Sequence, residues 1–162
     1  MNIAFTVNGQ PRSIEVEPRR TLADMLRDQC GLTGTHLGCE HGVCGACNVL
    51  VNGEPVRACL MFGVQADGAE IRTVEGLAAP DGTLNVLQRA FQANHGLQCG
   101  FCTPGFLMLA TWLLERPEKL DEATLRHVLS SNICRCTGYQ GILASVRAAA
   151  KELGRWAESA PA

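Results

Sequence analysis

GLQCGFCTPG at residues 96–105 and NICRCTGYQG at 132–141 are two versions of one phrase. Each places two cysteines almost side by side, then a threonine, then Gly or Pro-Gly, then an apolar run of helical period. Working outward, Thr83 is placed to cap a helix carrying Leu84, Leu87, Ala90 and Phe91 that ends near His95-Gly96. Thr103 is the expected cap of the next, with Pro104 at its first position and Phe106, Leu107, Leu109, Ala110, Leu113 and Leu114 along it, until Arg116-Pro117. Asp121 opens a third helix with Leu125, Val128 and Leu129, and Thr137 to Gln140 open a fourth with Ile142, Leu143, Val146, Ala150 and Leu153. Helix, cysteine pair, helix thus occurs twice. Two such hairpins packed together bring both cysteine pairs to one place.

Before residue 76 the pattern is different. Ile3, Phe5 and Val7 alternate with polar partners, Asn8-Gly9 signals a tight hairpin, and SIEVE alternates again through Ile14 and Val16. Thr21, with Asp24 three residues on, caps a helix bearing Leu22, Met25, Leu26 and Cys30, which Gly31 ends. NVLVNGEPVRACLM repeats the hairpin pattern about Asn52-Gly53, and AEIRTVE supplies a last strand. The expected architecture is α+β: a small mixed β domain over 1–76, then a four-helix domain over 77–162. The tail AESAPA is expected to fray.

A chain of 162 residues suits one domain or two small ones. Its net charge of −2, with both signs scattered, gives no footprint for nucleic acid or an anionic membrane. No apolar run approaches the roughly 18 residues of a membrane span. MNIAFTVNGQ lacks the basic and apolar regions of a signal peptide, and Arg19-Arg20 sits between a strand and a helix with no signal core after it, so a cytoplasmic chain is expected. Nine cysteines are then anomalous. The number is odd, and a reducing compartment favours metal binding over disulfides.

Eight of the nine fall into two groups. Cys39, Cys44 and Cys47 form C-x4-C-x2-C, with Cys59 beyond the Asn52-Gly53 turn. This is the plant-type spacing for a [2Fe–2S] cluster. Three thiolates can come from one loop and the fourth from the end of a strand. Gly38, Gly42 and Gly45 let backbone N–H groups approach the sulfurs. Structural zinc usually takes two short knuckles, which this spacing fits poorly. A Rieske centre would use His41, but four cysteines are already present, so His41 reads as a loop residue bonding nearby.

The second group is Cys99-x2-Cys102 with Cys134-x-Cys136. C-x2-C alone is common in zinc sites, whereas C-x-C suits two ligands on one iron better than a zinc knuckle. Both pairs are expected at helix N-termini, where the partial positive charge favours an anionic cluster. Arg135 either adds to that field or faces solvent. Cys30, on the apolar face of the first helix, reads as a core residue.

GCEHGVCGAC with its distant cysteine, followed by QCGFCTPG and NICRCTGYQ, resembles the iron–sulfur subunit or domain of the molybdenum hydroxylases, the relatives of xanthine dehydrogenase, aldehyde oxidoreductase and carbon monoxide dehydrogenase. The resemblance covers about residues 1–153. It implies a ferredoxin-like β-grasp domain with one [2Fe–2S] cluster and a four-helix domain with another. It implies electron transfer as the function: from molybdenum to the helical-domain cluster, then to the β-domain cluster, then to a flavin or external acceptor. By the same resemblance Cys99, Cys102, Cys134 and Cys136 ligate the cluster nearer molybdenum, and Gln98 and Cys136 approach the pterin. Molybdopterin, and FAD where one is used, would sit on partner chains: a large catalytic subunit and a separate flavin subunit. Substrate choice would belong to the large subunit. Two other classes stand beside this one, a free-standing two-cluster carrier and a zinc-stabilised interaction module.

Overall fold

The computed structural model describes residues 1–157, so the expectation for the last five residues of the tail lies outside them. Strands β1 (Asn2–Val7) and β2 (Gln10–Glu15) pair antiparallel through a turn in which Asn8 and Gly9 both have positive φ. The hairpin of β3 (Asn48–Val51) and β4 (Glu54–Arg57) turns the same way at Asn52 and Gly53. Strand β5 (Glu70–Arg72) joins them, parallel to β1 and antiparallel to β3, giving a five-stranded mixed sheet of order β2-β1-β5-β3-β4.

One helical segment lies across this sheet. It begins as a single α-turn, α1 (Leu22–Asp24), capped by Thr21 Oγ1 accepting from Asp24 N–H at 3.1 Å, and widens into a π-turn over Met25–Gln29. The expected helical face is present, since Leu22, Met25 and Leu26 are fully buried against Ile3, Val49 and Ile71. Burying each such side chain contributes roughly 1.5–3 kcal/mol. Cys30 is half-buried at the edge of that core. This is the mixed-sheet, ferredoxin-like half of an α+β chain.

The described residues of the second half form four helices: α2 (Val86–Ala93), α3 (Thr103–Glu115), α4 (Glu122–Leu129) and α5 (Gln140–Glu152). Two expected starts move. The α2 cap is Asn85, not Thr83: Asn85 Oδ1 accepts from Gln88 N–H at 2.8 Å while the Gln88 amide oxygen takes the Asn85 N–H at 3.0 Å. Such a reciprocal box satisfies two helix-end donors, which a lone threonine cannot match. Thr103 is the first residue of α3 rather than its cap, and Cys102 stands at the cap position. Asp121 caps α4 as expected, through Thr124 N–H at 2.7 Å.

Helix α3 is buried almost all round because it lies between the other helices and the sheet. Leu50 of β3 belongs to the helical core. Arg72 of β5 grips Glu115 with two bonds of 2.8 and 2.9 Å, and Trp112 Nε1 donates to Glu54 at 3.2 Å. Trp156 closes the far end by bridging to Leu120.

Candidate iron–sulfur centres

The loop from Gly38 to Cys47 is folded around a sulfur. Val43 N–H and Cys44 N–H each donate to Cys39 Sγ at 3.3 Å. Positive φ at Glu40, Gly42 and Gly45 turns these groups inward, and such a run of N–H groups favours an anion. His41 bonds locally, its Nδ1–H donating to the Cys39 carbonyl at 2.5 Å. Cys47 directly precedes β3 and Cys59 follows β4, so the pairing of Asn48 with Arg57 sets the two cysteines side by side. Their thiols are within hydrogen-bonding reach.

The second group is assembled by the two hairpins. Cys99 and Cys102 occupy the turn before α3, and Cys134 and Cys136 the turn before α5. Only the first pair abuts its helix, because Thr137, Gly138 and Tyr139 intervene before α5. Cys102 meets Cys134 and Cys99 meets Cys136, so the thiols approach in twos across the hairpins. Cys134 is buried, whereas Cys99 and Cys136 are exposed and Gln98 beside them is exposed too. Arg135 faces solvent.

Protonation differs sharply across these sulfurs. The N–H groups of Cys44, His41 and Val43 hold the Cys39 thiol down, to about 6. Burial pushes Cys47 up to about 11, the Cys59 N–H opposing and the Cys59 thiol adding to the rise, and burial pushes Cys102 up to about 12. Thiols so hard to ionise have no use as nucleophiles at neutral pH. A metal removes the difficulty, because a coordinating thiol is deprotonated outright. Among the described residues the buried hydroxyls of Thr103, next to Cys102, and of Thr111, further along α3, have no hydrogen-bond partner. A two-iron rhomb takes four thiolates, and the paired donor set fits it.

The two groups share a seam. Ile133 N–H donates to the Cys44 carbonyl at 2.9 Å, and Phe101 O accepts from His36 Nδ1–H at 2.8 Å. A side chain on Gly105 would run into the Gly45 carbonyl, and one on Gly45 into Asn132. Arg57 fills the seam: its guanidinium donates to Gly42 O at 3.3 Å, Ser131 O at 2.6 Å and Asn132 Oδ1 at 2.9 Å, and bonds Asn48 Oδ1 as well. Asn48 Nδ2 reaches Gly105 O at 3.3 Å and Asn132 Oδ1 at 3.1 Å. Sequence reasoning missed Arg57, Asn48 and Asn132. Their one signal was position, each lying one or two residues from a grouped cysteine.

Known proteins carry the same two units. Residues 5–78 match the 2Fe-2S iron-sulfur cluster binding domain, and residues 73–147 the [2Fe-2S] binding domain. The caffeine dehydrogenase gamma subunit of Pseudomonas sp. (strain CBB1) is 54% identical over 148 residues, covering 90% of this chain and 88% of the relative. The crystal structure of quinoline 2-oxidoreductase from Pseudomonas putida 86 superposes with a TM-score of 0.90 at 48% identity, covering 96% of both chains. The aldehyde oxidoreductase of Desulfovibrio gigas aligns with a TM-score of 0.89 at 41% identity, over 95% of this chain but 17% of that one.

Proposed function

Because the chain belongs to the small [2Fe–2S] subunits of the molybdenum hydroxylases, the xanthine dehydrogenase and aldehyde oxidoreductase family, we propose that its two cysteine groups hold the two clusters of an electron relay. Its function is electron transfer within a dehydrogenase complex. In our reading Cys39, Cys44, Cys47 and Cys59 hold the cluster of a domain over 1–76. Cys99, Cys102, Cys134 and Cys136 hold that of a domain over 77–162. The clusters supply one-electron chemistry. The chain supplies thiolates, N–H donors to sulfur, exclusion of water and a fixed spacing.

The observation that carries this reading is the seam, where the two cysteine loops touch through Ile133 and Cys44. A large molybdopterin-binding subunit is the partner we place at the helical end. Gln98 and Cys136 are exposed there, ready to approach the pterin, and Leu97 beside Gln98 is exposed too. In the Desulfovibrio gigas protein the matching unit is a small part of a much longer chain, which supports such a partner. Leu60 and Phe62 are exposed just beyond Cys59 of the first group, and there we place a flavin subunit or external acceptor. No helix among the described residues is long and apolar enough to cross a membrane. Nine cysteines, eight of them at metal-ligand spacing, suit a reducing compartment, and we place the chain in the cytoplasm.

The order of the relay is tested by mixing the complex with its reducing substrate and freezing it at successive times. The helical-domain cluster should become paramagnetic first and the β-domain cluster after it. Reduction in the reverse order would overturn the assignment of ends.

A further inference from the structure

The hydroxyl of Thr137 stands between two groups. On one side Tyr139 N–H points at Oγ1 from 3.1 Å, and on the other Cys134 Sγ lies 3.1 Å away. A hydroxyl has one proton. Tyr139 N–H is a donor and occupies a lone pair of the oxygen, which leaves that proton free for the sulfur. Thr137 N–H approaches the same sulfur at 3.4 Å. The turn is held in shape by Tyr139, whose φ is 67° and whose Oη accepts from Cys134 N–H at 3.1 Å. Cys39 in the other group takes its hydrogen bonds from backbone N–H groups, among them those of Val43 and Cys44.

We infer that Thr137, by donating its O–H to Cys134 Sγ, makes the helical-domain cluster easier to reduce and so sets how an electron divides between the two clusters. The inference rests on the assignment of Cys134 as a ligand. Once bound to iron the sulfur carries no proton and can only accept. Reduction brings one electron to the cluster, breaks no bond and moves no proton. A hydrogen bond to a ligand sulfur strengthens as the cluster gains negative charge, so it favours the reduced state. The two groups therefore differ in a way their matching cysteine counts conceal.

The test compares Thr137→Val, which keeps the side chain's shape and loses the O–H, with Thr137→Ser, which keeps the O–H. Both are made in the purified complex and poised at known potentials, with the EPR signals assigned through Cys136→Ser. In Thr137→Val the reduction equilibrium of the helical-domain cluster should fall about tenfold, which is about 59 mV for one electron. The β-domain cluster should hold its value, and Thr137→Ser should stay with the unaltered protein. An unmoved helical-domain cluster, an equal shift of both, or a Ser variant that behaves as the Val one would overturn the inference. If Thr137→Val does not load, the unaltered complex decides in heavy water. A rapidly exchanging proton coupled to the helical-domain cluster upholds the bond, and its absence overturns it. A complex whose iron content lacks a second cluster fails earlier, at the ligand assignment, and the inference falls with it.

Discussion

Ile133 gives its N–H to the carbonyl of Cys44 across 2.9 Å, and Ile133 directly precedes Cys134. One backbone hydrogen bond thus joins the two cysteine-bearing loops, which are far apart in the chain. It gives a bonded route from Cys44 through Ile133 to Cys134.

Ile133→Pro removes this donor, since proline has no N–H. The half-buried Cys44 carbonyl then loses its partner, a cost of about 0.5–1.5 kcal/mol. Electronic coupling decays less along bonds than across gaps, so electron exchange between the clusters should slow while each keeps its iron. Flash reduction of one cluster, followed by the rate of equilibration, checks this. An unchanged rate would show that the bond is not the route.

Arg57→Met leaves Asn48, Ser131 and Asn132 facing each other without the guanidinium. With several acceptors orphaned at once, unfolding free energy should fall by about 2–4 kcal/mol, read from denaturant titration. Arg57→Lys should recover only part, because a point charge cannot span four partners held by a planar fork.

Gly105→Ala tests the seam from the helical side. A methyl group there meets the Gly45 carbonyl, and backbone cannot move aside as a flexible side chain can. Overpacking of this kind costs about 1–3 kcal/mol. The melting temperature should drop, and the two loops should become more open to protease.

Cluster removal should expose the contrast between sulfurs. Cys39, held to about 6, is thiolate at pH 7.5, whereas Cys102, pushed to about 12, is not. In the cluster-free chain alkylation at pH 7.5 should therefore label Cys39 long before Cys102, as read by peptide mass. Lowering the pH through 6 should suppress labelling of Cys39, because its thiolate is then protonated. Equal labelling of the two would mean that the loop around Cys39 has not kept its N–H groups in place.

Much of this was legible beforehand. Period-two alternation placed β1, and Asn-Gly marked both hairpins, because these signals are local and have one physical cause each. The two cysteine groups could be read because chain spacing itself limits which sulfurs can meet. The start of α2 was misplaced by two residues, since a threonine at 83 and an asparagine at 85 both look like caps until the Gln88 side chain folds back. The seam was illegible for a different reason. Arg57, Asn48, Asn132 and Gly105 are ordinary residues in their own segments. They matter only because α3 packs on β3, and no local pattern announces that. Nor did the sequence single out Trp156, which works through a bridge to Leu120.

The most direct test is iron and acid-labile sulfide analysis of the purified chain, together with EPR of the dithionite-reduced protein. About four irons and four sulfides per chain and two distinguishable [2Fe–2S] signals are expected. Cys136→Ser should disturb the helical-domain signal and spare much of the other. Loss of only the β-domain signal in that variant, or an EPR-silent, zinc-loaded chain from cells able to build clusters, would contradict the two-cluster assignment.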